Sequence, residues 1–212
     1  MRAHKIFLIA VVTFLVTPAA LSQRASVNEL FPVYDNGGRP DLVVDPQRFA
    51  SKMEIVDRNF DNDPCVIQEG AVGGGGYRRV LRFDSVVINS GDADLVTGDS
   101  ADPNNAFAKW FEFAPCHSHF HIRDFAVYEL LSKDRTMVLA SHKQGFCMDD
   151  SFKKLTGQLI DITGVPEGDY IVRVRINTSE TFDEGANRYT NALETSIHVP
   201  DPNQKVRVAD SK

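Results

Sequence analysis

The segment Tyr170-Ile171-Val172-Arg173-Val174-Arg175-Ile176 sets two arginines between β-branched residues at every second position. A period of two is the mark of a strand with one dry face and one wet face, and it rules out an amphipathic helix there. The same pattern recurs along the chain. Val80 to Asn89, Phe125 to Leu131, Met137 to Ala140, Leu159 to Ile162, Tyr170 to Asn177 and Thr195 to Val199 are short β-branched or aromatic runs bounded by Gly, Asn, Asp or Pro. Only Val43 to Phe60 offers room for a helical turn or two. The expected fold is mostly β, a single-domain antiparallel β-sandwich with long loops. It is expected over residues 40–200, after a short leader at 23–39 and before a tail at 201–212.

Of the 212 residues, 42% are hydrophobic and 25% charged, a balance that gives one domain of ordinary size a real core. The net charge of -6 leaves no basic face for phosphates, so no nucleic-acid partner is expected. Arg2, His4 and Lys5 precede an apolar run from Ile6 to Val16, and Ala20-Leu21-Ser22 ends it with small residues, so residues 1–22 read as a secretory signal peptide. The run is shorter than the ~20 residues that span a bilayer, and no later run approaches that length, so no membrane anchor is expected. Loss of Arg2 and Lys5 lowers the basic count from 23 to 21 against 29 acidic residues, a mature charge of -8. The expected location is secreted, extracellular or, in a bacterium, periplasmic, where disulfides persist. Cys65, Cys116 and Cys147 allow one bridge, and spacing does not choose the pair. Asn177-Thr178-Ser179 is a glycosylation sequon. Gly73 to Gly76 lacks the Gly-Lys-Ser/Thr ending of a phosphate loop and leads into a strand, so it reads as a connection.

Chemistry concentrates in Cys116-His117-Ser118-His119-Phe120-His121. Three imidazoles at alternate positions share a face if the segment is extended, and imidazole suits copper and zinc. On a regular strand, however, the outer two Cα atoms stand roughly 13 Å apart. Each imidazole bonds its metal at ~2 Å, so His117, His119 and His121 meet on one ion only if the backbone bends. Pro115 just upstream is compatible with such a break. All-nitrogen ligation favours copper or zinc over magnesium or calcium.

A Cys followed at once by three alternating His resembles the copper motif of the lysyl oxidases. Further landmarks in the family's order run from Pro40 to Ile197: Pro40-Asp41-Leu42-Val43, Leu81-Arg82-Phe83, Asn89-Ser90-Gly91, Phe125-Ala126-Val127-Tyr128-Glu129-Leu130-Leu131, His142-Lys143-Gln144-Gly145-Phe146-Cys147, Gln158-Leu159-Ile160-Asp161-Ile162-Thr163, Gly168-Asp169-Tyr170 and Tyr189-Thr190-Asn191. The resemblance implies a copper amine oxidase that converts primary amines, of peptidyl lysine or of small molecules, to aldehydes with O2. It implies copper at His117, His119 and His121, and a quinone cofactor built from Lys143 and an oxidised Tyr. Lysine-rich extracellular proteins or small primary amines are the implied partners, and an acidic surface would steer such cations inward.

The chain departs from the family's pattern in one segment. The family's cofactor Tyr lies between the Phe-Cys motif and the Gln-x-x-Asp-Ile-Thr strand, and here that stretch shrinks to Met148 through Gly157, without a Tyr. The quinone then depends on Tyr34 or Tyr77 reaching the site. The resemblance also implies a Cys65–Cys116 bridge, with Cys116–Cys147 as the alternative. The family's calcium positions persist at Asp41 and Asn191, but Arg188 and Ala192 replace oxygen ligands, so no tight calcium site is expected unless Asp183 or Glu184 compensates. Two further readings use the same residues. One is a non-catalytic copper-binding or structural protein; the other is a hydrolase-like metal site with Asp124, Glu112 or His142 as base.

Overall fold

A computed structural model describes residues 36–51, 53–140, 152–185 and 191–209, the backbone alone at 140 and 152–157. The expected signal peptide at 1–22 and most of the leader lie outside these residues. The longest strand, β3 (Tyr77–Asn89), organises the first sheet. β1 (Leu42–Val44) and β2 (Glu54–Asn59) pair antiparallel with its two ends, at Val87–Asn89 and Tyr77–Arg82. β8 (Phe152–Asp161) overlaps both stretches, so it takes the opposite edge of β3. The span read as having helical potential is therefore two strands joined by one short helix, α1 (Pro46–Ser51). Its start follows a local rule: Pro46 fixes the first helical position, and the Asp45 carboxylate accepts from the N–H groups of Gln47 at 2.9 Å and Arg48 at 3.0 Å. Helix α2 (Pro64–Gln68) is shorter still.

The second sheet has the order β10-β9-β6-β7, built from β6 (Ala126–Leu131), β7 (Met137–Ala140), β9 (Gly168–Ile176) and β10 (Ala192–Val199), all antiparallel. A separate hairpin of β4 (Phe111–Ala114) and β5 (His119–Ile122) follows a 3-10 turn at Ala108–Trp110. The fold is mostly β, as the period-two runs require. One pairing departs from the antiparallel expectation: β11 (Arg207–Ala209), within the segment expected as a tail, runs parallel to β2.

The two sheets share one core. Phe83 of β3 meets Phe49 of α1 edge-on, with ring centroids 5.4 Å apart, and Tyr128 of β6 at 4.9 Å. All three rings are buried. Val172, Val174 and Ile176, the dry face of β9, join that core. A smaller cluster of Val56, Phe60, Ala71, Val72, Val80, Leu159 and Ala209 lies under α2, and Val66 and Ile67 of that helix pack against it. Gly91 has no room for a side chain, because a Cβ there would stand 2.3 Å from the Arg39 carbonyl oxygen. The sequon is also used internally. Asn177 is buried, its amide donates to the Phe182 carbonyl at 2.9 Å, and its Oδ1 accepts from the Phe182 N–H at 3.1 Å, so the asparagine of the sequon is withdrawn from solvent.

The wet face of β9 is not simply solvated. Arg173 Nε donates to Glu129 Oε2 at 2.6 Å, and Arg175 donates through Nε and Nη2 to both oxygens of the same carboxylate at 3.0 Å. Glu129 is buried, which by itself raises its pKa; the hydrogen bonds and charges of Arg173 and Arg175 outweigh this and hold it below the ordinary value. A depressed carboxylate contributes stability that is present above the unfolded-state pKa and is lost as pH falls through the folded one. Glu129→Gln should therefore lower the urea midpoint at pH 7 and flatten the fall in stability with acid below about pH 4.5. Phe83→Ala should cost about 3–5 kcal/mol in denaturant unfolding, since it opens a void between the sheets.

Candidate metal centre

The hairpin bends where three alternating histidines need it to. β4 and β5 pair Glu112 with His121, Phe113 with Phe120 and Ala114 with His119, so His119, His121, Glu112 and Ala114 share one face. Phe113 and Phe120 meet on the other at 5.3 Å. The turn between the strands is closed by N–H groups of His117 and Ser118 on the Ala114 carbonyl, at 3.0 and 2.9 Å, and Ser118 takes a left-handed φ of 56°. His117 therefore leaves the strand and folds back over it. The far end is pinned by Ile122, which is buried in the main core, and by Arg123 N–H on the Trp110 carbonyl at 2.9 Å.

The result is a cluster of imidazoles. His117 lies 5.6 Å from His119 and 5.4 Å from His121, centroid to centroid, and the latter two are 4.9 Å apart. The Nε2 atoms of His119 and His121 are hydrogen-bonded to each other at 3.0 Å. Two nitrogens bound to one ion at about 2 Å, at angles near 90–110°, stand about 2.8–3.3 Å apart, so this pair already has the spacing of two ligands. The third ring differs. His117 Nε2 is held by Glu69 Oε1 at 2.6 Å. Accordingly, no three His, Cys, Asp or Glu side chains among the described residues stand ready to hold an ion. The rings have converged, but the Nε2 of His117 is engaged elsewhere.

What fixes the hairpin against α2 is a disulfide. Cys65, in the first turn of α2, is bonded to Cys116, with Cα atoms 5.5 Å apart. One turn later along the same short helix comes Glu69, which receives His117. Cys147, the alternative partner for Cys116, lies outside the described residues, as do His142 and the expected cofactor residue Lys143.

The sequence model of the lysyl oxidase family matches residues 40–156, a stretch that includes the disulfide and the hairpin. The chain belongs to the lysyl oxidase family. It is 28% identical to lysyl oxidase homolog 2 of Homo sapiens over 191 residues, which takes in 73% of this chain and 24% of that protein. Lysyl oxidase homolog 2 of Mus musculus is 29% identical over 182 residues, covering 68% and 23%. The homolog 2A of Danio rerio is 28% identical over 188 residues, covering 72% and 24%. The chain thus spans about a quarter of the length of these curated relatives.

Three of the five tyrosines, Tyr77, Tyr128 and Tyr170, lie among the described residues. Tyr128 is buried between the sheets, where burial pushes its phenol above the ordinary value. Tyr77 lines a shallow recess with Asp57, Arg78, Arg79 and Thr163, in which none of the three histidines takes part. Tyr170 donates to the Pro166 carbonyl at 3.0 Å. Tyr34 and Tyr189 lie outside the described residues.

The family's calcium positions come together with Glu184. Its Oε1 accepts from Asn191 at 2.6 Å and from Asn177, and its Oε2 accepts from the Leu42 N–H at 2.6 Å. Asp41 is buried beside it. Burial, with a smaller push from the Asp41 charge, holds the Glu184 carboxyl above its ordinary value. Protein N–H donors thus meet both Glu184 oxygens, whereas the buried Oδ1 of Asn191 has no hydrogen-bond partner among the described residues. Asp183 instead turns outward to pair with Arg39 at 2.9 Å.

Sequence reasoning missed Glu69. A lone glutamate after Pro64-Cys65-Val66-Ile67-Gln68 carries no motif, and only its spacing of four from a cysteine on a short helix could have pointed to it. The disulfide is the element to test first: Cys65→Ser should lower stability by about 2–4 kcal/mol, as expected for loss of a bridge closing a loop of some fifty residues. The check is chemical denaturation, with peptide mapping of the native protein returning Cys65 joined to Cys116.

Proposed function

We propose that this chain is an exported copper protein of the lysyl oxidase family that oxidises primary amines, of peptidyl lysine or of small molecules, to aldehydes with O2. The observation that carries the copper assignment is the convergence of His117, His119 and His121 on a bent hairpin, with two Nε2 atoms 3.0 Å apart. Copper held there supplies redox and Lewis-acid chemistry in an all-imidazole site. His119 and Glu112 are exposed, so the centre opens to solvent and to a substrate. Glu112 stands directly across from His121, and a carboxylate there can take a proton from a bound amine. The mature charge of -8, 21 basic against 29 acidic residues, draws cations such as lysine side chains inward. Overall, one amine, one O2 and one water give aldehyde, ammonia and hydrogen peroxide. Export is supported by the signal-like residues 1–22 and by the disulfide.

A second reading, copper binding without amine oxidation, is favoured by the tyrosines. Met148 to Gly157 contains none, Tyr128 is buried between the sheets, and Tyr77 lines a recess that none of the three histidines enters. Among the described residues, therefore, no side chain offers the histidine centre a route to a quinone.

The two readings separate in one preparation. Mature protein should carry about one copper, as expected for a single three-histidine site. His119→Ala should lose it; unchanged metal content would refute the ligand set. Amine-dependent peroxide release together with a mapped cross-link at Lys143 supports oxidation, whereas copper-loaded, oxygenated protein lacking both is a binding protein.

A further inference from the structure

We infer that Glu69 is the positioning residue of the histidine centre: it holds His117 so that the ring presents Nδ1, rather than Nε2, to the metal. The inference rests on the proposed copper site and adds a residue and an atom assignment to it.

Three observations carry it. The first is the contact itself, His117 Nε2 against Glu69 Oε1 at 2.6 Å. The second is that both carboxylate oxygens of Glu69 are shut off from water. A carboxylate in that position must be met by a donor, and in a neutral imidazole the nitrogen that meets it carries the proton. The lone pair then resides on Nδ1. Histidines that bind metals commonly donate their other ring N–H to a carboxylate in this way, which fixes both tautomer and ring orientation.

The third observation is how firmly Glu69 is held. Its N–H bonds the Cys65 carbonyl at 2.8 Å, and the N–H groups of Gly70 and Ala71 return to Ile67 and Val66 at 3.0 Å, with Gly70 left-handed at φ 68°. The chain then dives into the smaller core at Ala71 and Val72. Cys65 and Glu69 are one helical turn apart, and their partners Cys116 and His117 are adjacent. The disulfide and the His117–Glu69 contact are therefore two rungs between the same two segments. The covalent rung sets the separation, and the Glu69 rung sets the rotation of the ring.

The arrangement also accounts for the difference between the histidines. His119 and His121 face each other through Nε2. His117 has its Nε2 turned to Glu69, so Nδ1 is the nitrogen it retains for a shared ion.

The test reads His117 directly in metal-free protein, by two-bond nitrogen–proton correlation of the imidazoles, and copper affinity separately by competition with a chelator. Wild type should show His117 as the Nε2–H tautomer. Glu69→Ala should give a mixture of tautomers and weaken copper binding by about 10–100-fold, the usual effect of removing such a partner. Glu69→Gln keeps an oxygen acceptor and should retain the tautomer and most of the affinity. A wild-type His117 protonated on Nδ1 would overturn the inference. So would Glu69→Ala with unchanged tautomer and affinity, or Glu69→Gln as impaired as Glu69→Ala. If wild type binds no copper, the copper reading fails, while the tautomer still decides whether Glu69 orients His117.

Discussion

Three imidazoles at alternate positions cannot share an ion on a flat strand, because the pleat spreads the outer two over roughly 13 Å. The reversal at residues 115–118 removes that obstacle. The Ala114 carbonyl accepts two N–H groups, Ser118 turns left-handed, and His117 is lifted off the strand that carries His119 and His121. Everything around the hairpin holds this bend. Ile122 anchors one end in the core, and the Cys65–Cys116 bond fastens the other to α2. The smaller core holds α2 in turn.

The two sheets supply the fixed frame. Phe83 between Phe49 and Tyr128 sets their separation, and Glu129 with Arg173 and Arg175 ties β6 to β9 on the outer face. The first is non-directional burial, strong and tolerant of detail. The second is directional and specifies register, since Glu129 lies opposite Arg173. Neither touches the histidines. They leave the hairpin outside the main sheets and exposed.

Much of this was legible in the sequence because burial on one face imposes a period. The runs around β3, β6, β7, β8, β9 and β10 announce themselves by β-branched residues and turn punctuation. β2 does not, because Glu54-Ile55-Val56-Asp57-Arg58-Asn59 is short and largely polar, and β11 has three residues inside a polar end segment. The histidine motif was read for its donors, and the need for a bend followed from strand geometry. The position of Glu69 did not follow, since it depends on a disulfide joining segments 51 residues apart. Asn177 shows the limit of a local pattern: the sequon is legible in the sequence, and a tertiary hydrogen-bond pair with Phe182 withdraws its side chain from solvent.

The central claim is that one copper is bound by the three histidines of a single bent hairpin. X-ray absorption of the copper-loaded, disulfide-intact protein tests it most directly. The account predicts a first shell with three imidazole nitrogens at about 2 Å, falling to two in His117→Ala. A first shell of oxygen or sulfur with one imidazole or none, or a spectrum indifferent to His117, would contradict it.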